Sequence, residues 1–385
     1  MVEGARARLV RERGESLNFE REEAMRDFLA RAGWADAKLS PLPGDASTRR
    51  YLRANGGVRK AMLMDQPQGA ETPACPPGAT PEERRALGYN AVARLAGADC
   101  ARFVAVAGFL RQQGLSAPEI FAADTKQGFV LMEDLGNDLY ADVLADGGNE
   151  IDLYRAAIDA LARIHAQAAP TTLAPDKALY AYDDVAMSAE TDLMTEWFLP
   201  LALGRAARED ETAEHRALWK KALATLQSLS PVFVHRDYHA QNLMWLPERQ
   251  GNARVGVIDF QDAVAGARGY DIISLMEDAR RDVAPELSEA MTDHYLTAMA
   301  KAGKPLDGEA HRAEMALLAA QRNAKIVGIF ARLFKRDGKP RYLGYLPRVW
   351  NYLDRDLEHP SLSALKTWYD KKLPAETREI AEGVN

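Results

Sequence analysis

The sequence predicts an α+β fold in two lobes, a small sheet-containing N-terminal lobe over residues 1–132 and a larger, mainly helical lobe over 133–385. Three observations carry this. Short β-rich runs crowd the first third of the chain, long helical patterns fill the rest, and the polar turn Glu133-Asp134-Leu135-Gly136 separates them.

In chain order, residues Asn18 to Ala32 place Phe19, Met25, Phe28 and Leu29 at helical intervals among charges, and Ser40 to Gly44 ends that pattern with two prolines and a glycine. Arg50 to Leu52 and Val58 to Met64 read as strands joined by Asn55-Gly56-Gly57, a β-hairpin. Gln66 to Pro81 holds five prolines and two glycines and reads as a loop. Helices are predicted over Glu82 to Leu95 and Ala101 to Gln113, then a compact apolar strand over Phe129 to Met132. Beyond the polar turn come helical patterns over Leu153 to Gln167, Thr191 to Leu203 and Ala213 to Leu229. Two strand-like runs, Leu243 to Leu246 and Val255 to Phe260, interrupt them around the turn Pro247 to Asn252. Further helices close the chain, rich in aromatics from Tyr342 to Tyr369, with no internal repeat.

Composition narrows the function classes. With 47% hydrophobic residues and a formal charge of -7, the chain has the balance of a globular protein and a mean field that repels nucleic acid and anionic membranes. No apolar run is long enough to span a bilayer, and Arg6, Arg8, Arg11 and Arg13 are followed by acidic residues and a helical pattern rather than an apolar signal core. These features predict a cytoplasmic protein with a polar small molecule as its ligand and no nucleic-acid or membrane partner; protein partners are not specified. Cys75 and Cys100 have no metal-ligand spacing and read as buried or idle thiols.

The chemistry concentrates in His235-Arg236-Asp237-Tyr238-His239-Ala240-Gln241-Asn242, followed by Val257-Ile258-Asp259-Phe260. Asp237 and Asn242 sit on the loop before a predicted hairpin, and Asp259 ends its second strand. Phosphoryl transfer needs this combination: a carboxylate to receive or orient the proton of an attacking hydroxyl, and oxygen ligands to hold magnesium against nucleotide phosphates.

This H-x-D-x-x-x-x-N and I-D pattern resembles the signature of the aminoglycoside phosphotransferase and choline kinase superfamily, and His-Arg-Asp looks like the catalytic loop of protein kinases. The resemblance implies a two-lobed, protein-kinase-like fold with ATP and Mg2+ as cofactors, the first lobe binding nucleotide and the second carrying the catalytic loop, metal site and sugar pocket. It makes Asp237 the catalytic base, Asn242 and Asp259 the metal ligands, His235 a loop-organising residue and Asp271 a brace for the loop. A surface loop whose Asp and Asn cap turns is the bland alternative, and it leaves Asp259 unexplained.

A narrower resemblance spans nearly the whole chain. The blocks Pro43 to Tyr51, Leu63 to Pro67, Leu131 to Gly136, Glu196 to Leu199 and Lys339 to Tyr342 are similar to bacterial kinases that phosphorylate N-acetylmuramate and N-acetylglucosamine at the anomeric carbon in peptidoglycan recycling. The rivals are phosphotransfer to another alcohol, such as an aminoglycoside, choline or another sugar, and a nucleotide-binding pseudokinase.

Within Asp45 to Arg50, Ser47, Thr48 and Arg49 can supply donors for phosphate oxygens, the alternative being a plain helix-to-strand turn. Met132 to Leu135, if it is the hinge, offers backbone groups to adenine, the alternative being a mere connecting turn. Related kinases place a lysine centrally on the strand before the first long helix; here Lys60 stands at its start, so Lys60, Arg49 or Arg50 must supply that charge. Neither Glu82 nor Glu83 is clearly its partner, because both lie in a segment, residues 66–100, that looks like an insertion relative to the family and reads as a surface excursion in preference to a mobile lid. His239, Trp197 and Arg322 are candidate substrate contacts, weighed against a loop-stabilising histidine, a core tryptophan and a packed helix polar residue. His165 reads as a packed histidine.

Overall fold

A computed structural model describes residues 19–43, 49–67, 73–95 and 99–380. The first lobe is a five-stranded antiparallel sheet in the order β1-β2-β3-β5-β4, with β1 at Lys38–Pro41, β2 at Arg50–Gly56, β3 at Arg59–Asp65, β4 at Ile120–Asp124 and β5 at Phe129–Glu133. Helix α1, described over residues 19–31, covers its outer face. The two-residue period of the strands sorts the faces: Ala54, Ala61, Leu63, Phe129 and Leu131 pack with Met25, Phe28, Leu29 and Trp34, and Phe28 stacks on Phe129 at 5.6 Å. Such a pair adds about 0.5–1.5 kcal/mol beyond its buried area. The opposite face presents Tyr51 across from Met64 and Arg53 across from Met62.

The edge strands β1 and β4 escaped sequence reading, because β1 is exposed except at the half-buried Leu39 and ends at Pro41, while β4 is mostly half exposed and carries a register shift.

Between β3 and β4 the chain forms α2 at Pro81–Leu87, a π-type turn at Asn90–Arg94 and α3 at Cys100–Gln112. The single helix expected over Glu82 to Leu95 is thus broken, at Gly88, whose φ of 94° no helix accommodates. Thr80 and Glu83 close a capping box on α2. The segment is also not the surface excursion the sequence suggested. Arg84 is buried, donating to the carbonyls of Ala91 and Val92 and pairing with Asp183 at 2.5 Å. Cys75, Ala91 and Leu95 join the core of the second lobe.

The remainder is mostly helical. It comprises α4 at Tyr140–Ala145, α5 at Glu150–His165, a small β6 and β7 ribbon at Thr172–Ala174 and Lys177–Ala178, α6 at Asp184–Leu193, α7 at Leu199–Leu203 and α8 at Glu209–Leu223. There follow β8 at Val232–Val234, β9 at Leu243–Trp245, β10 at Val255–Val257 and β11 at Val264–Gly266. The last helices are α9 at Gly269–Met276, α10 at Pro285–Lys301, α11 at Gly308–Asp337, α12 at Leu346–Leu357 and α13 at Ser363–Lys372. Strand β9 pairs with β10, as the sequence predicted, and β8 pairs with β11. These two ribbons bracket the loops at 235–242 and 258–263. Helix α11 runs through the centre, touching α6, α9 and α12. Among the described residues no helix is long and apolar enough to cross a membrane.

Candidate active site

One cleft of about 1310 Å³ lies between the inner face of the sheet and the second lobe. Tyr51, Arg53, Met62 and Met132 to Asn137 line it from the sheet and connecting turn; Asp237, Asn242, Met244 and Ile258 to Phe260 line it from below; Tyr89, Asn90, Arg94, Glu190, Lys325, Ile329, Arg332 and Arg336 complete the wall.

The loop bearing Asp237 is held by its backbone. Asp271, at the start of α9 and fully buried, accepts from the His235 N–H at 2.7 Å and the Arg236 N–H at 2.9 Å. His235 donates from Nε2 to the Ile258 carbonyl at 3.0 Å, because a carbonyl only accepts. Its Nδ1 is then the acceptor facing the Asp237 N–H at 3.3 Å. Burial lowers its pKa, so the ring is neutral and one tautomer is selected. Tyr238 donates to the Ala157 carbonyl on α5 at 2.9 Å and anchors the loop from the other side. Arg236 adopts φ 77°, and its guanidinium is buried against Glu190.

Glu190, fully buried on α6, is the hub beneath the loop. It receives Arg236, Lys325 at 3.0 Å, Gln321 at 3.0 Å and the Tyr182 hydroxyl. Burial pushes its carboxyl up, but Lys325 and Arg236 outweigh that and hold it below the usual range. The same cations act on Asp237. Burial raises its pKa, and Lys325, His239, Arg236 and His235 bring it down to about 2. Asp237 is therefore a carboxylate, half-buried, at the floor of the cleft.

Asn242 donates through Nδ2 to the Asp237 carbonyl at 3.0 Å, which leaves its Oδ1 as the atom for a cation. Asp259, with φ 58° and half its side chain exposed, accepts from Arg49 at 3.1 Å and Gln261 at 3.0 Å. The loop after it is pinned by Arg102 of α3, which donates to the carbonyls of Gln261 at 3.0 Å and Ala263 at 2.5 Å. Two hard oxygen donors facing one cleft suit magnesium, which keeps several non-protein ligands. Among the described residues no cluster of three or more His, Cys, Asp or Glu could hold a metal by itself.

The structure sorts the other candidates. Arg49 is buried, lines the cleft and bridges to Asp259, whereas Arg50 turns to the outer face and clamps the buried Asp65 together with Arg21. Lys60 is exposed and outside the cleft lining; Met62 is the central cleft-facing residue of β3. Glu82 is exposed and Glu83 caps its own helix, so neither pairs with a strand cation. Glu133 and Leu135 line the cleft, and the Glu133 carboxylate also meets Arg249 at 2.6 Å. Ser47 and Thr48 lie outside the described residues.

The three expected substrate contacts fall outside the cleft lining. His239 is buried behind the loop, with burial lowering its pKa to about 4, and faces the Asn242 amide at 3.4 Å. Trp197 packs against the second-lobe core, and Arg322 is buried, donating to Ser274 and the Glu277 carbonyl. None of the three lines the cleft. His165 is packed, bonded to the Tyr295 hydroxyl at 2.8 Å.

What sequence reading missed is the polar stripe of α11. Lys325, Ile329, Arg332 and Arg336 are spaced i, i+4, i+7 and i+11, one face of a helix, and three cations on that stripe were the available signal.

A loop carboxylate, an amide and a second carboxylate facing one interlobe cleft are the residue types phosphoryl transfer uses. Residues 38–318 match the phosphotransferase enzyme family, and the chain belongs to it. It is 47% identical over 369 residues to the N-acetylmuramate/N-acetylglucosamine kinase of Caulobacter vibrioides, covering 94% of this chain and 99% of that one. A Pseudomonas aeruginosa protein of the same name is 33% identical over 359 residues, covering 92% and 95%. Among solved structures, a choline/ethanolamine kinase family protein from Mesorhizobium loti aligns with a TM-score of 0.53 at 15% identity, covering 90% of this chain and 98% of that one. Plasmodium vivax ethanolamine kinase aligns with a TM-score of 0.51 at 11% identity, covering 85% and 84%. The chain thus has the fold of that superfamily and is a phosphotransferase, for which the family implies ATP as donor.

Proposed function

We propose that this enzyme transfers the γ-phosphoryl group of ATP to the anomeric hydroxyl of N-acetylmuramate and N-acetylglucosamine. The observation that carries the chemistry is the Asp237 carboxylate, held ionised on a rigid loop in the same cleft as Asn242 and Asp259. The choice of acceptor rests on the relative at 47% identity, matched end to end.

In this reading Asp237 accepts a hydrogen bond from the attacking hydroxyl and receives its proton as the bond to phosphorus forms. An anomeric hydroxyl is more acidic than an ordinary alcohol, so a carboxylate with a pKa near 2 serves mainly by orientation. Lys325 sits in the field of Asp237 and keeps it from carrying a proton before substrate binds. Asn242 Oδ1 and Asp259 would hold magnesium, which screens the phosphates of ATP. Arg49, at the sheet side of Asp259, is the cation we assign to the phosphates in place of a strand lysine. Met62, Met132 and the turn through Glu133 to Leu135 form the adenine wall.

The test is ADP release with N-acetylmuramate, N-acetylglucosamine, glucose, choline and kanamycin side by side, with the phosphate located by NMR. Turnover of the two amino sugars with phosphate on the anomeric oxygen is expected; turnover of choline or kanamycin alone would replace the acceptor. Asp237→Asn should lower kcat at least about 100-fold while ATP still binds. Near-normal turnover in that variant would remove Asp237 from the mechanism.

A further inference from the structure

The two acceptors named above differ by one group, the lactyl ether on O3 of N-acetylmuramate, which ends in a carboxylate. We infer that Arg332 of α11, backed by Arg336, is the site that reads this carboxylate and sets the enzyme's preference between the acidic and the neutral amino sugar. The inference rests on the acceptor proposed above and adds the residues that distinguish its two forms.

Four observations converge on it. Arg332 and Arg336 both line the cleft, on the helix stripe that begins at Lys325 beside Asp237. Among the described residues no carboxylate closes an ion pair with Arg332. The acids nearest in its field are Glu196 and Asp337, and Asp337 is taken by Arg336 at 2.6 Å. The guanidinium lies over the Tyr89 ring, 4.9 Å from its centroid, which leaves its edge as the donor surface. Burial and the adjacent Arg336 both press its charge down, a cost that a bound anion would relieve.

Geometry agrees with the size of the ligand. At about 1.5 Å per residue, seven residues set Arg332 roughly 10 Å along the helix from Lys325, the span of a sugar ring with one substituent. The stripe belongs to a helix packed against α6, α9 and α12, whereas the adenine wall is built from β3, β5 and the connecting turn. An anion at Arg332 is therefore part of the acceptor rather than of ATP. Tyr89, stacked on Arg332, and Asn90, from the segment between α2 and α3, line the cleft beside it.

The experiment compares kcat/KM for the two sugars in the full chain, with Arg332→Met and Arg332→Lys variants, and includes the carboxamide of N-acetylmuramate as a third acceptor for the unaltered protein. The ratio of kcat/KM for the acid to that for the neutral sugar should fall about tenfold or more in R332M and recover in part in R332K, as expected for loss of one charge-assisted contact. The carboxamide should lose a similar factor with the unaltered protein, a readout that does not depend on any variant folding. A parallel loss for both sugars, a raised KM for ATP, or an unchanged ratio overturns the assignment while leaving the acceptor proposal standing. If the unaltered protein phosphorylates neither sugar, the acceptor proposal fails and this one falls with it.

Discussion

Arg236 and Asp259 hold φ values of 77° and 58°, a region that costs a non-glycine residue about 1–3 kcal/mol. Both are overdetermined by their surroundings: Arg236 through Asp271 and Glu190, Asp259 through Arg49 and Gln261. Asp237 on the loop and Asp271, the α9 carboxylate that braces it, have opposite pH signs. Asp237, held at about 2, lies below its unfolded value; its contribution to stability is present above about pH 4 and is lost as pH falls through 2. Burial pushes Asp271 up to about 7, against its two N–H donors. Its contribution is complete below about pH 4 and is lost as pH rises through 7. Between pH 5 and 8 the melting temperature of the wild type should therefore fall relative to that of Asp271→Asn. An acid limb of kcat near pH 7 should also be present in the wild type and absent from the variant. A limb that survives in D271N would have to come from another group.

At the scale of elements, the contact between α6 and α11 matters most, because it brings Glu190 and Lys325 together. Gly328 makes it possible: a Cβ there would come within 2.5 Å of the Leu193 Cβ and 2.6 Å of its backbone carbon. Backbone cannot yield as a flexible side chain does, so Gly328→Ala must push the helices apart. We expect a loss of about 1–3 kcal/mol in denaturant unfolding, and a drop in kcat larger than any change in KM for ATP, as Lys325 moves from Asp237. Unchanged activity in a destabilised variant would show that the Lys325 position is tolerant. The segment over residues 73–95 is the second such element. Its loop character was legible from its prolines, but its docking was not: Arg84 reads as one more charge on a charged helix until Asp183, ninety-nine residues away, is beside it.

For the whole molecule, the cleft exists because a sheet covered on its outer face by α1 meets a helical body through α3 and the turn at Glu133. Arg49 and Asp259 join the two sides across it. The proposed metal ligands have protein partners of their own, since Asn242 is bonded to the Asp237 carbonyl and Asp259 to Arg49 and Gln261. The fold should therefore not depend on the metal. Removing divalent cations with EDTA is expected to abolish turnover while shifting the melting temperature little, and magnesium should restore the rate. A large melting shift would make the ion structural, contrary to its proposed role.

By itself the sequence determined the α+β class, the polar turn between lobes, the β9 and β10 ribbon and the three polar residues around it. All of these are local: periodicity, turn chemistry and a spacing of a few residues encode them directly. The choice of Arg49 over Arg50 needed the strand register, because a shift of one residue reverses the face; Lys60 shares the face of Met62 but stands at the hairpin end of β3, outside the cleft lining. That His239, Trp197 and Arg322 lie off the cleft lining while Tyr89, Glu190, Lys325 and Arg332 belong to it depends on the packing of distant helices. Charge on a helix looks alike in sequence whether it faces water or substrate, and only the tertiary fold decides which stripe of α11 lines the cleft.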